Sequence, residues 1–257
     1  MKDLQTQQQH MKSKLSIPLA LLGASALTAS AVTVTVLPGD LTWGSTGNSG
    51  GGSSAITGTA PRSGNGSLEL FGDRTRFIGL GNPDSSNLGL LSSLTNFTFD
   101  WMVAVGSSQG TTPGYSPALR LHIWDGPQRS ELFWENAYNG TIPVDQGTWH
   151  TTGTDDNWGR YQAGIGDSLI YNRSITEWST LGYSANAYIS GISIGVGSSA
   201  GANYHAFADN VTLSLGANST TYNFEATGGS VPDGGTTLVL LGGALTGLGA
   251  LRRKFRA

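Results

Sequence analysis

The sequence predicts an all-β fold, a two-sheet sandwich of jelly-roll type, framed by an N-terminal signal helix and a C-terminal transmembrane helix. Three observations carry the sandwich. Between residues 32 and 230 apolar side chains recur at every second position in short runs, the period of a strand with one buried face. Gly, Ser, Thr and Asn fill the intervals and supply turn conformations with little helix propensity. No stretch offers an apolar helical face three turns long. Strands of this kind bury their apolar faces sheet against sheet, and no repeat of fixed period supports a propeller or β-helix. The interval of about 200 residues is long enough for one domain with its own core.

The first element is a leader, residues 1–31. Lys12 and Lys14 precede an apolar run over 15–27, too short for a mature anchor, and Ala29-Ser30-Ala31 supplies the small residues signal peptidase needs. Cleavage is expected after Ala31. In the domain 32–230, the clearest strand covers 97–105, with Phe97, Phe99, Trp101, Val103 and Val105 on one face. Leu119, Leu121 and Ile123 then alternate with Arg120, His122 and Trp124. Asp125-Gly126-Pro127 breaks that run, and 131–135 follows as its hairpin partner. Later strands are expected at 192–196, 207–215 and 221–225.

The last element is a tail, 231–257. Residues 236–251 carry no charge and are followed at once by Arg252, Arg253, Lys254 and Arg256, a stop-transfer pattern that places the chain end in the cytoplasm. As a helix this run covers about 24 Å, short of the roughly 30 Å hydrocarbon core, which suits a processed signal. Val231, Pro232, Asp233, Gly234 and Gly235 stand immediately before it. Motif, apolar helix and basic end in this order resemble the PEP-CTERM class of sorting signals, in a variant form with Asp-Gly-Gly in place of Glu-Pro. The resemblance implies an exosortase-like membrane enzyme that cuts near the motif and passes the protein to the cell surface or extracellular matrix.

Composition excludes several functions. The domain holds seven Arg, no Lys and fifteen Asp or Glu, a balance of −8, which argues against nucleic acid as a partner. Cysteine is absent, so neither disulfides nor thiol chemistry operate. Gly47-Asn48-Ser49-Gly50-Gly51 and Gly106-Ser107-Ser108-Gln109-Gly110 fit G-x-S-x-G, but neither is followed by the helix a nucleophile elbow needs. Gly166-Asp167-Ser168-Leu169 spells an esterase signature without its later Asp-x-x-His.

Short phrases in the domain, among them Ala118-Leu119-Arg120-Leu121, Gly147-Thr148-Trp149 and Asp209-Asn210-Val211-Thr212-Leu213, resemble concanavalin-like or carbohydrate-binding sandwiches. Sugar sites use exposed rings beside amides and carboxylates. The candidates for such a site are Trp124, Trp134, Tyr138, Asn139, Trp149 and Trp158. No cofactor is required. Calcium is the ion the composition admits, with Asp155, Asp156, Asn157 and Asp209 as candidate ligands.

The leading expectation is therefore an exported, non-enzymatic surface or matrix protein that contacts exopolysaccharide. One alternative is a secreted glycoside hydrolase of sandwich fold. Glu131 and Glu135 lie roughly 13 Å apart on one strand, too far for such a pair, which leaves a cross-strand pair such as Asp125 with Glu135. A structural protein without ligand is the second alternative.

Overall fold

The computed structural model describes residues 30–108, 114–140, 144–162 and 170–228. The expected leader helix and the whole sorting tail lie outside these residues. Among the described residues no helix is long and apolar enough to cross a membrane.

The strands in chain order are β1 (Ser30–Val36), β2 (Trp43–Thr46), β3 (Ser53–Thr57), β4 (Ser67–Phe71), β5 (Arg76–Gly79), β6 (Gly89–Leu90), β7 (Leu94–Val103) and β8 (Ala118–Asp125). They continue with β9 (Gln128–Trp134), β10 (His150–Thr151), β11 (Trp158–Gln162), β12 (Ile170–Arg173), β13 (Tyr188–Gly195), β14 (His205–Leu215) and β15 (Asn218–Phe224). Among the described residues one short α-helix, α1 (Ile175–Thr180), interrupts them. The strands form two sheets in a sandwich-like arrangement. The eight-stranded sheet runs β12-β11-β9-β8-β13-β5-β2, with β6 also paired to β13.

The seven-stranded sheet is organised by β14. One edge of this eleven-residue strand pairs with β7, which carries β10 in turn. Its other edge is shared: residues 205–208 pair with β4, and residues 211–215 pair with β15. The register shifts between Asp209 and Thr212, and Asn210 sits at φ 49°. The strand is forked at this bulge, and backbone groups near the fork need partners from side chains.

Alternation explains the core. Phe97, Phe99, Trp101 and Val103 of β7 are buried facing Leu119, Leu121 and Ile123 of β8, with Leu132 and Trp134 of β9 and Ile192 and Ile194 of β13. Val105 departs from expectation, being 81% exposed. β7 ends at Val103, and Gly106 takes φ 78° in the turn that follows. The β8–β9 hairpin forms as predicted, but Asp125 pairs with Gln128, so β9 starts three residues earlier. Gly126 at φ 60° provides the positive φ that opens a tight two-residue loop, and Pro127 fills the second place.

Helix α1 has a capping box, with Ser174 and Glu177 bonding each other's backbone N–H. It delivers Trp178, fully buried, whose Nε1 donates to the Trp158 carbonyl at 2.9 Å. A six-residue helix was not legible from periodicity, because it completes fewer than two turns. Strand β1 adds in parallel to β15 over seven pairs. The expected cleavage after Ala31 would leave the five from Val32↔Thr220 to Val36↔Phe224.

Candidate functional site

The best-equipped concavity is a cleft of about 620 Å³ where the end of β9 meets β10 at the sandwich rim. β9 ends in Trp134, a short 3-10 turn follows over Asn136–Tyr138, and the chain returns through residues 153–157. Asp156 fixes that return, accepting from Trp134 Nε1 at 2.7 Å and from the Gly153 N–H at 2.8 Å. Asn139 clasps the same loop, donating to the carbonyls of Glu135 and Asn157 and accepting from the Asn157 N–H. Across the cleft, His150 of β10 pairs with Trp101 of β7, their rings stacked at 4.6 Å. Asp145 and Thr151 complete the polar lining. A second hollow of about 530 Å³, walled by five leucines with Thr42, Asn218, Thr220 and Tyr222, carries no charged group.

The expected sugar residues do not form one surface. Trp134 and Asn139 line the cleft, and Tyr138 lies beside it, stacked on Tyr171 at 3.7 Å. Trp158 is fully buried against Phe97, so it is a core residue and offers no ring to a sugar. Trp134 is 2% exposed, which removes its ring face as a platform and leaves it as a wall. Trp124 lies on the outer face of the eight-stranded sheet, donating to the Pro83 carbonyl at 2.8 Å. Trp149 packs on the outer face of the other sheet with Met102 and Phe207, beneath Arg62 at 5.8 Å. The runs at 124–138 and 149–158 are close in sequence, but pleating sends their rings to different layers.

A charged row crosses the outer face of the eight-stranded sheet. Strand pairing aligns Arg120 with Phe133, His122 with Glu131, and Trp124 with Arg129. The Arg76 guanidinium reaches Glu131 at 3.0 Å, and the His122 Nδ1 lies 3.3 Å from it. On its other side, His122 Nε2 meets the Ser193 hydroxyl at 3.0 Å. Serine, histidine and glutamate thus stand in the order of a hydrolase relay, but the His122 Nδ1 makes no hydrogen bond to Glu131. Both His122 and Ser193 are 0% exposed, so no substrate atom reaches the hydroxyl in this arrangement. The row is a buried polar seam. Burial pushes Glu131 upward, but the facing His122 ring with Arg76 and Arg120 overcomes it and holds the carboxyl at about 2. Burial also lowers His122, against the pull of Glu131, so the ring is neutral near pH 7.

The fork in β14 is the third polar cluster. Asp209, fully buried, accepts from the N–H groups of Asn210 and Phe224 at 2.8 and 2.9 Å and of Ser63 at 3.2 Å. Glu225 accepts from the Asn65 N–H and the Asn223 amide. The loop over them approaches so closely that a Cβ on Gly64, at φ 75°, would stand 1.8 Å from a Glu225 oxygen. Asp209 is thereby engaged with backbone, while Asp155 is exposed and Asp156 and Asn157 are tied within the clasp. Among the described residues no group of three or more His, Asp or Glu is placed to hold a metal ion. Asp125 bonds Ser184 at the turn end of the hairpin, and Glu135 lies past its open end, roughly 24 Å away by strand rise. They cannot act as the carboxylate pair of a glycosidase.

Opposed shifts give a testable pH profile. Burial raises Asp209 to about 7, aided by the Asp100 charge and opposed by its three N–H donors. A raised carboxyl favours folding while protonated, so its contribution fades as pH rises from about 4 through about 7. Glu131, held low, contributes above the ordinary carboxylate value and loses that contribution as pH falls from about 4.5 toward 2. Thermal denaturation should therefore show a stability maximum near pH 4 to 5. E131Q flattens the acid limb and D209N the alkaline limb; a profile unchanged in both variants refutes the assignment.

Comparison with known proteins matches the VPDSG-CTERM motif over residues 230–255. The chain therefore carries a PEP-CTERM-like sorting signal, with Gly234 at the place where the motif's name has Ser. That signal defines an exported protein that transits the membrane and is sorted through processing by an exosortase-like enzyme. No curated protein and no solved structure matches the chain significantly.

Proposed function

We propose that the exported domain is a non-enzymatic component of the cell surface or extracellular matrix that holds exopolysaccharide in the cleft at the sandwich rim. The observation that carries this reading is the convergence of Asn139, Asp145, His150, Thr151 and Asp156 around a ligand-sized cavity bounded by Trp101 and Trp134. Little of either ring is exposed, so hydrogen bonds to sugar hydroxyls orient the chain and the indoles supply an apolar wall. The arrangement needs no cofactor. A jelly-roll or concanavalin-like topology belongs to the same reading, supported by the two packed sheets with binding groups at their rim.

Asp145→Ala and His150→Ala should each weaken co-sedimentation of the processed protein with the host's own exopolysaccharide by up to about tenfold. Arg74→Ala, away from the cleft, should leave it unchanged. Equal binding by all three variants sinks the cleft assignment. Release of reducing ends from the polysaccharide would move the protein to the glycoside hydrolase alternative.

A further inference from the structure

We propose that the outer face of the eight-stranded sheet holds a second binding site, in which Arg120 receives a carboxylate of the ligand. The site is separate from the cleft, and its case stands whether or not the cleft binds polysaccharide.

The warrant is a charge without a counter-ion. The domain has seven arginines. Arg62, Arg74, Arg76 and Arg129 each lie within 4.0 Å of a carboxylate. Arg160 and Arg173 stack on Trp178 at 4.9 and 4.6 Å and donate to the carbonyls of Gly182 and Leu181. Arg120 has no such ion pair among the described residues, and its Nη1 is buried without a hydrogen-bond partner. Burial disfavours its charge, as does neighbouring Arg76, against the pull of Glu131 and Glu135. A guanidinium does not escape by deprotonating, so an unmatched one in a protein face is costly unless an anion arrives from outside.

Neither neighbouring glutamate fills the role. Glu131 is committed to Arg76 and His122. Glu135 has no hydrogen bond to Arg120, and burial raises its carboxyl despite the guanidinium. The two mark opposite sides of Arg120, because Arg120 pairs with Phe133, midway between them on the chain. Arg120 itself is half-buried and lines neither cavity, but a hollow stands at each of these glutamates. One, of about 190 Å³, is lined by Arg76, Arg129, Glu131 and Tyr161. The other, of about 300 Å³, is lined by Glu135, Tyr138, Tyr115 and Ser116. Three of the seven arginines thus gather on one face of a domain that is otherwise acidic. The planar fork of Arg120 suits a carboxylate bidentately. The ionised Glu131 nearby disfavours a dianion, which selects a singly charged carboxylate over phosphate.

The source of that carboxylate is an acidic sugar or a small organic acid, and titration calorimetry separates them. The full chain in detergent is titrated with trigalacturonate, neutral galactotriose, lactate and inorganic phosphate. A carboxylate probe should bind, more weakly as salt rises, and R120Q should weaken it about tenfold or more while R74Q does not. Binding of trigalacturonate alone identifies acidic polysaccharide as the source; equal binding of lactate identifies a small acid. Without ligand, R120Q should leave the melting temperature unchanged or raise it, because it removes an unmatched charge; a purely structural arginine would lower it. The proposal fails if neither carboxylate binds, if galactotriose binds as tightly as trigalacturonate, or if phosphate binds most tightly. It fails equally if R120Q binds like the parent protein or does not fold.

Discussion

Deleting residues 231–257 is expected to move the protein from the cell-surface and membrane fraction into the soluble exported fraction. The VPDSG-CTERM match covers this segment, and its charge order makes the expected effect large. By the positive-inside rule Arg252, Arg253, Lys254 and Arg256 are expected to hold the chain end on the cytoplasmic side, where each charge resists transfer through the hydrocarbon. Removing them with the apolar run takes away the stop-transfer pattern, while the expected leader at 1–31 is untouched. Fractionation and immunoblotting of cells carrying the parent and truncated chains measure the shift. Unchanged surface retention of the truncated chain would falsify the reading of the tail as the sorting determinant. Changing Pro232 and Asp233 to Ala should have a different signature: the unprocessed, longer chain accumulates in the membrane, because the stop-transfer segment persists while the recognition motif is lost.

The second large effect is on stability. Trp158→Ala should lower the free energy of unfolding by about 3–5 kcal/mol, a large fraction of the 5–15 kcal/mol typical of a domain. Trp158 is fully buried, lies 5.5 Å from Phe97 ring to ring, and its carbonyl receives the Trp178 indole. Truncation opens a cavity where β11 and α1 meet the core. Trp158→Phe should cost far less, because the Trp158 Nε1 has no hydrogen-bond partner to lose. Urea midpoints for the two variants decide the matter. A loss below about 1 kcal/mol for the alanine variant would show that the ring does not fill the core as described.

The sequence by itself determined the two-sheet β class, the hairpin and the sorting signal. Alternation in 97–103 and 119–123 identified the inward faces of β7 and β8, since side chains two apart necessarily share a face of a pleated strand. The sorting signal was equally legible, because its three parts act in linear order and need no partner from elsewhere in the chain. The sites were not. Trp134 and Trp158 satisfied the local pattern of a sugar surface, yet packing placed both in the core. Only the tertiary structure brought His150 to Trp101, or Ser63 and Phe224 to the forked strand at Asp209. These contacts join segments up to 146 residues apart, and their register is set by sheet pairing rather than by local spacing. Arg120 shows the division within one residue. Its outward position follows from alternation with Leu119 and Leu121, whereas its lack of a counter-ion among the described residues depends on where four other arginines found theirs.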